Sequence, residues 1–377
     1  MPVVGTRESI RSWMFDQALP FWATHGLDPD NGGYIEQLTL QGTDAEVAFK
    51  RTRVAGRQVY VFSHAAVMGW KAGLTLAGPG MDFLTKQAWV GEDKGFARTL
   101  SRTGEVLDET PDLYDHAFAL FGFAWRHRAT MDALSHEWMH RTLDYIEAHM
   151  RHPGGLGFWH EVPAIGWRQQ NPHMHLTEAC LAAHEATGEV RFAEAARRLV
   201  ELFRAKLFDV KTGTLAEYFT DDWSRATGGD GRIVEPGHLM EWCWILNQAR
   251  KQLGMDVGAG IRAANHFAEM HGINPATGMV HNSVRDDGVV LDAGSRTWPN
   301  CERIKAAIAL WELDGVDPGP VIDAAAGLLL RRYLACEPAG IWMDAFDAEG
   351  REAARTVPAS TLYHVFLAFA EVLRITD

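Results

Sequence analysis

Cysteine is scarce in this chain: Cys180, Cys243, Cys301 and Cys336 stand far apart and form no CxxC pair. That spacing excludes a disulfide framework and predicts buried free thiols in a reducing, cytoplasmic setting. Long apolar runs are lacking too. No stretch approaches the roughly 20 residues that span a bilayer, and the start, MPVVGTRESIRSW, carries no apolar segment fit for a secretory signal. Basic residues are outnumbered, 36 Lys and Arg against 49 Asp and Glu, for a formal net charge of −13. Such a surface repels phosphate backbones and anionic lipid, so neither nucleic acid nor a membrane is an expected partner. There is no Walker loop, no dinucleotide-binding glycine fingerprint and no G-x-S-x-G elbow. DPDNGG at Asp28 has glycine at the fifth position of a calcium loop and Thr39 where its bidentate glutamate belongs, so it reads as a turn.

What the chain does have is a repeat. With 377 residues, 47% of them hydrophobic, it can build a large core. Six short segments open on glycine and mix apolar with polar residues: GGYIEQL at Gly33, GFARTL at Gly95, GGLGFWHEV at Gly155, GTLAEYF at Gly213, GMVHNSV at Gly278 and GIWMDAF at Gly340. They recur roughly every 60 residues, the mark of a repeat architecture. Each interval holds two helix-like stretches, for example DLYDHAFALFGFAWRH and MDALSHEWMHRTLDYIEAHM. After Gly340 only STLYHVFLAFAEVLRI remains, and ESIRSWMFDQALPFWATHG before Gly33 supplies the missing partner. The first helix of each pair is apolar around its circumference and reads as buried. The second, such as RFAEAARRLVELF, is amphipathic and reads as external. An open solenoid is the competing arrangement. The wrap-around favours closure, and the expected fold is all-α: a single (α/α)6 barrel over residues 1–377, six helical hairpins with short β segments in the connecting loops.

The buried helices should avoid ionisable groups, because an unpaired buried charge is costly. Yet each carries one near its start: Arg57, Asp115, His175, His238, Glu302 and His364, all roughly 20–25 residues beyond a repeat glycine. Equivalent hairpins would bring these groups to one end of a barrel, the default place for an active site. His238 and Glu241 lie one helical turn apart, as do His175 and Glu178. His64, His184 and His266, outside that register, read as hydrogen-bonded core residues.

HEWMH, from His136 to His140, matches the H-E-x-x-H zinc motif, with Glu137 as base and Glu161 as a third-ligand candidate. It falls on an external helix, with Leu134, Trp138 and Tyr145 on the apolar side and the histidines beside Asp144 and Glu147. A catalytic zinc needs a sheltered cleft, so a zinc metallopeptidase is a remote alternative and no metal is expected.

GRQVYVFSHA, DLYDHAF, NPHMHLTEA, EPGHLMEW, RTWPNCE and TLYHVF resemble, in this order, the motifs of the N-acylglucosamine 2-epimerase superfamily, which includes mannose isomerases, sulfoquinovose isomerases and cellobiose 2-epimerases. The resemblance runs from about Asp28 to the C-terminus and implies an (α/α)6 barrel. It makes His238 and His364 the general acid and base, gives Arg57 the sugar oxygens, and makes His175 and Glu241 supporting residues. Tyr114, Asn171, Met174 and Trp298 become pocket lining, with Asp115, Glu178 and Glu302 beside them as substrate-binding candidates. Arg53 departs from the pattern, standing where many relatives carry tryptophan, and it alters the shape and charge of one wall.

The residue types suit proton transfer next to a sugar carbonyl, since imidazole both takes and returns protons near neutrality. A guanidinium stabilises the oxyanion of a cis-enediol intermediate. No cofactor is needed. The expected activity is aldose–ketose isomerisation of a free monosaccharide, D-mannose to D-fructose, because NPHMHLTEA and EPGHLMEW look closer to mannose isomerases. The alternatives are 2-epimerisation of N-acylglucosamine or cellobiose, and a phosphosugar isomerase in which Arg53 meets the anionic group. Assembly into a homo-oligomer is left open.

Overall fold

In the computed structural model, which describes residues 4–376, the chain is built mostly of helices. In order they are α1 (Val4–Ser12), α2 (Leu19–His25), α3 (Thr52–Val67), α4 (Ala72–Leu76), α5 (Gly78–Asp82), α6 (Leu113–Thr130), α7 (Ala133–His149), α8 (Asn171–Thr187), α9 (Val190–Leu202), α10 (Pro236–Leu253), α11 (Gly258–His271), α12 (Thr297–Asp314), α13 (Gly319–Leu328) and α14 (Leu362–Thr376). They fall into two compact units. Unit A comprises Ala23–Leu38 and Asp44–Leu202; unit B comprises the chain up to Trp22, Thr39–Thr43 and everything from Phe203 onward.

Each unit is a run of helical hairpins. In unit A, α3 packs on α6 and α6 on α8, while α4 and α5, α7 and α9 lie behind them. In unit B, α10 packs on α12 and α12 on α14, backed by α11, α13 and α1. The helices expected to be internal are buried around most of their circumference; in α6 the run Asp115–Trp125 has no exposed member. On α9 the buried residues fall on one side, Phe192, Ala195, Ala196 and Leu199, as expected of an external helix. The N-terminal segment pairs with the last helix as the repeat predicts: Trp13 meets Phe369 edge-on, and Trp22 stacks on Trp342 with ring centroids 5.1 Å apart.

Two expected helices are broken. MDFLTKQAWVGED is helical only as far as Ala88: Met81 and Asp82 end α5, a wider π turn runs over Phe83–Ala88, and the backbone turns extended at Trp89, while the outer element begins earlier, at α4. The N-terminal helix is interrupted by a π turn over Trp13–Ala18. Pro20 follows it, and it has no N–H to give the carbonyl one turn earlier.

The segments after the repeat glycines form short antiparallel pairings that tie each internal helix to the next hairpin. In unit A, Phe49–Arg51, Thr99–Ser101 and Val106–Asp108 form one small sheet, with Lys50 opposite Leu100. In unit B, Ile233–Val234, Ser283–Arg285 and Val290–Asp292 form another, with Val284 opposite Val234. Helix starts join in: the Thr52 N–H donates to Arg98 O, Leu113 to His160 O and Thr297 to Asp344 O.

A further device recurs at the first helical turn. His116 Nδ1 donates to Asp112 O at 2.8 Å, and its Nε2 accepts from the Phe96 N–H at 3.1 Å. His173 bridges Gln169 O and the Phe158 N–H in the same way at 3.0 Å each. In unit B, Asn300 donates to Arg296 O at 2.8 Å and accepts from the Val280 N–H at 3.1 Å. Burial holds both imidazoles neutral, with pKa values lowered to about 4, as this one-donor, one-acceptor role requires.

DPDNGG is a turn, as expected; Asp28 is buried and paired with Lys50 at 2.9 Å and Arg102 at 3.1 Å. Of the three histidines assigned to the core, His64 bonds the Tyr60 hydroxyl at 2.9 Å and His184 donates to Glu189 O at 3.1 Å. His266 is instead exposed on α11, whose buried side is Ile261, Ala264, Phe267 and Ala268. Leu134, assigned to the apolar side of α7, is also exposed, whereas Trp138 and Tyr145 are buried. Among the described residues no helix is long and apolar enough to cross a membrane, and the four cysteines are free.

The close approach of α3 and α6 depends on Gly56, where an added Cβ would lie 2.2 Å from the Phe118 carbonyl oxygen. Gly56→Ala therefore has to push backbone apart, and should destabilise the chain by about 1–3 kcal/mol, the usual scale of overpacking. Urea unfolding measures this; an unchanged midpoint would contradict the packing described.

Candidate active site

In unit B the two histidines in repeat register are each held by a buried carboxylate. His238, two residues into α10, places Nδ1 3.0 Å from Glu217 Oε2 and 3.8 Å from Glu235. His364, on α14, places Nδ1 2.8 Å from Glu302 Oε1 and 3.9 Å from Glu241. A carboxylate at Nδ1 favours the proton there and directs proton exchange with a ligand to Nε2. The Trp298 indole lies against both imidazoles, with centroids 5.1 Å from His238 and 5.4 Å from His364. Gly237 makes room for that indole, since a Cβ there would come within 2.6 Å of it.

The two histidines differ in what stands behind them. Burial alone would lower the pKa of His238, but Glu217 and Glu235 outweigh it and raise the imidazole to about 9, so His238 is cationic at neutral pH. Behind His364 lies a lysine. Lys305 is fully buried, 2.6 Å from Glu302 Oε2 and 3.9 Å from Glu241, with its ammonium over the Trp244 and Tyr363 rings. The Tyr363 hydroxyl also reaches Glu241 at 3.4 Å.

Unit A holds the other site candidates. Arg57 donates to the Tyr114 hydroxyl at 2.6 Å and stacks over Phe118. His175 meets Glu178 at 3.2 Å and packs against Tyr114 and Phe118. A cavity of about 480 Å³ is lined by Arg51, Arg53, Arg57, Arg98, Asp112, Tyr114, His160, Glu161, Gln169, Asn171 and Pro172. The Oδ1 atom of Asn171 has no hydrogen-bond partner among the described residues, which marks it as an acceptor for a bound hydroxyl.

The arginines of this cavity carry their own counter-charges. Arg53 bonds Asp115 through Nε at 2.9 Å and Nη2 at 2.7 Å, and reaches Asp112 at 3.1 Å. Burial raises the Asp115 carboxyl to about 6, which still leaves the pair charged at neutral pH. Arg51 is paired with Glu36, and Arg98 with Glu161, Asp112 and Asp108.

Of the expected site residues, the structure brings His238, Glu241, Trp298, Glu302 and His364 together in unit B. It brings Arg57, Tyr114, Asn171 and His175 together in unit A. Three expected substrate contacts are buried and turned toward other side chains: Asp115 to Arg53, Glu178 to His175 and Glu302 to His364. Met174 is fully buried in α8. Arg53, which the phosphosugar alternative set against an anionic group, is engaged by Asp112 and Asp115.

Glu217, Glu235, Lys305, Arg98 and His160 were not anticipated. A signal for some of them existed, because the repeat segments carry ionisable residues of their own: Glu36, Arg98, His160, Glu217, His281 and Asp344 each follow a repeat glycine within a few residues. Lys305 stands three residues after Glu302 in an otherwise apolar run, the spacing of a helical ion pair.

Three groups within the units are compact enough to surround a cation. Lys305 already fills that place for Glu241, Glu302 and His364. Around Glu217 and Glu235 the positive charge comes from His238 and from Arg296, 3.0 Å from Glu235. The third group belongs to HEWMH. His136 and His140 both approach Glu189, at 2.6 and 2.9 Å, whereas the expected third ligand, Glu161, is taken by Arg98. Arg191 donates to His140 Nδ1 at 2.7 Å, so Nε2 carries the proton and points an N–H rather than a lone pair at Glu189. That geometry is a hydrogen-bonded staple between α7 and the start of α9.

Comparison with known proteins gives the family and the fold. The chain is 35% identical over 375 residues to a mannose-6-phosphate isomerase of Rhizobium meliloti (strain 1021), covering 96% of this chain and 95% of that one. It is 27% identical to a D-mannose isomerase of Thermobifida fusca, over 84% and 82% of the two chains. Among solved structures, a D-mannose isomerase superposes with a TM-score of 0.89 at 20% identity over the full length of both chains. The cellobiose 2-epimerase of Bacillus thermoamylovorans B4167 does so with a TM-score of 0.88 at 19% identity, covering 99% of this chain and 100% of that one. These likenesses give the fold as the (α/α)6 barrel that the repeat implied. The family model of N-acylglucosamine 2-epimerase matches residues 33–368, and the chain belongs to this family of sugar isomerases and epimerases.

Proposed function

We propose that this enzyme interconverts an aldose and its ketose, with D-mannose and D-fructose as the pair. The observation that carries the reading is the pair of histidines against one indole, each gripped at Nδ1 by a buried carboxylate. His238, cationic at neutral pH, serves as acid: it gives its proton to the ring oxygen as the C1–O5 bond breaks, and the O1 proton leaves to water as C1=O1 forms. His364 serves as base and takes the C2 proton through Nε2. The C2–H electron pair becomes the C1=C2 bond and the C1=O1 π pair moves onto O1, giving the cis-enediolate. The O2 proton passes to O1, O2 becomes the carbonyl, and the C1=C2 pair takes the proton back from His364 at C1 to give the ketose. Return to the opposite face of C2 would give the epimer, so the outcome depends on how the sugar is held rather than on the histidines.

The arginines of unit A favour a free sugar over a phosphate ester, because Arg51, Arg53 and Arg98 are already paired with carboxylates. The second reading, a phosphosugar isomerase, draws on the Rhizobium meliloti relative and on the number of arginines. A cytoplasmic location accords with the four free thiols.

His238→Ala and His364→Ala should each lower turnover of mannose by about 10²-fold or more, the scale of losing a general acid or base. The wild type should also lose activity as pH rises through about 9, where His238 gives up its proton, and His238→Ala should abolish that alkaline limb. Near-normal turnover in either variant, or a limb that survives in His238→Ala, would overturn the mechanism. Assayed side by side, mannose should exceed mannose 6-phosphate in kcat/KM by about tenfold or more, the scale of one unfavourable charge contact; the reverse order would favour the phosphosugar reading.

A further inference from the structure

Arg53, at the start of α3 in unit A, has its guanidinium held in one place. The backbone N–H of Arg53 donates to Asp115 Oδ1 at 2.7 Å and Nε to the same oxygen at 2.9 Å. Nη2 donates to Asp115 Oδ2 at 2.7 Å and to Asp112 Oδ2 at 3.1 Å. Asp112 is itself fixed, as the N-cap of α6 that accepts from the Tyr114 and Asp115 N–H groups. The guanidinium lies over the Tyr114 ring, with Cζ 4.8 Å from the centroid. Asp115 is fully buried and forms no part of the cavity wall, whereas Arg53 lines the cavity and keeps 20% of its side chain exposed. The two nitrogens that bond Asp115 therefore face into the protein. The third, Nη1, makes no hydrogen bond among the described residues and is left for the cavity.

A second unmet group lines the same cavity. Asn171 Oδ1, at the start of α8, is buried and accepts from nothing among the described residues. The cavity thus offers a fixed donor and an acceptor. A hydroxyl meets both needs, because it donates and accepts, whereas the oxygens of an ionised phosphate only accept. Charge points the same way. Asp112 and Asp115 already offset the arginine, so an anion brought to Nη1 would approach two carboxylates along with one guanidinium.

We propose that Arg53 is a specificity-determining residue: its locked guanidinium donates through Nη1 to a hydroxyl of a neutral sugar bound in this cavity. The inference rests on the free-sugar reading given above and names a side chain that enforces it. A guanidinium already gripped by a carboxylate loses little freedom when the sugar binds. Nor can it swing away when the hydroxyl is missing, so a sugar without that group leaves a charged donor unmet.

The test sets four sugars against variants of the full-length chain and reads kcat and KM for each pair. The sugars are D-mannose and its derivatives lacking the hydroxyl at C3, C4 or C6. Two variants remove Nη1. Arg53→Gln puts an amide nitrogen in the place of Nε on Asp115; Arg53→Met is combined with Asp115→Asn, so that no buried carboxylate is stranded. The wild type should handle one deoxysugar about tenfold or more worse than mannose, the scale of a hydrogen bond to a charged group. In each variant the gap between mannose and that deoxysugar should close to within about twofold, while the other two gaps stay as they were. If one variant does not fold, the other decides. All four sugars lowered by one common factor would overturn the proposal and leave Arg53 a structural ion pair. A wild type that treats the four sugars alike would overturn it as well, as would a preference for mannose 6-phosphate that Arg53→Gln abolishes. Should the wild type turn over no mannose, the reaction proposed above falls, while calorimetric binding of the same four sugars still decides what Arg53 does.

Discussion

Three internal helices, α6, α8 and α12, start from a fixed point because a side chain at the first turn bridges two backbone groups. His116, His173 and Asn300 each donate to the carbonyl one turn back and accept the N–H of a residue just past a repeat glycine. A buried backbone group without a partner is costly, so the bridge both closes the loop and fixes the helix origin. Three of the candidate site residues lie within two positions of these anchors: Asp115 beside His116, His175 beyond His173, Glu302 beyond Asn300.

On that frame the chemistry follows from charge placement. A histidine held at Nδ1 by a carboxylate has its orientation and tautomer set before any sugar arrives. Burial then decides how strongly neighbouring charges act, since a buried pair is screened far less than an exposed one. His238 faces two carboxylates, Glu217 and Glu235, and Arg296 lies on the farther one. The carboxylates of His364 share a fully buried lysine. Environments that drive two like groups apart are a general way to obtain an acid and a base from one residue type.

Much of this was legible in the sequence, for physical reasons. The repeat glycines mark the short segments between hairpins, and their spacing gave the number and order of internal helices. An ionisable side chain on an otherwise buried helix needs a partner or a task, which singled out Arg57, His175, His238, Glu302 and His364. What stayed hidden depends on partners distant in sequence. Glu217 lies 21 residues from His238 on an unremarkable segment, and nothing local says which histidine it serves. Asp115 looked like a substrate contact because it lies in the repeat register, and Glu178 because it stands one turn from His175; that Asp115 is held by Arg53 is not visible in either pattern. The HEWMH motif misled in its third ligand: Glu189, from the next hairpin, takes the place that spacing assigned to Glu161. The outer helices were the least legible, because π turns over Trp13–Ala18 and Phe83–Ala88 interrupt or end them where the apolar pattern continues.

The central claim is that a proton leaves C2 of an aldose to a histidine and is returned at C1. Incubating the full-length chain with D-mannose in heavy water and following the sugars by NMR tests it directly. The account predicts D-fructose carrying solvent deuterium at C1. Fructose free of deuterium would point to a hydride shift, and glucose labelled at C2 without fructose would make the chain an epimerase; either result would contradict it.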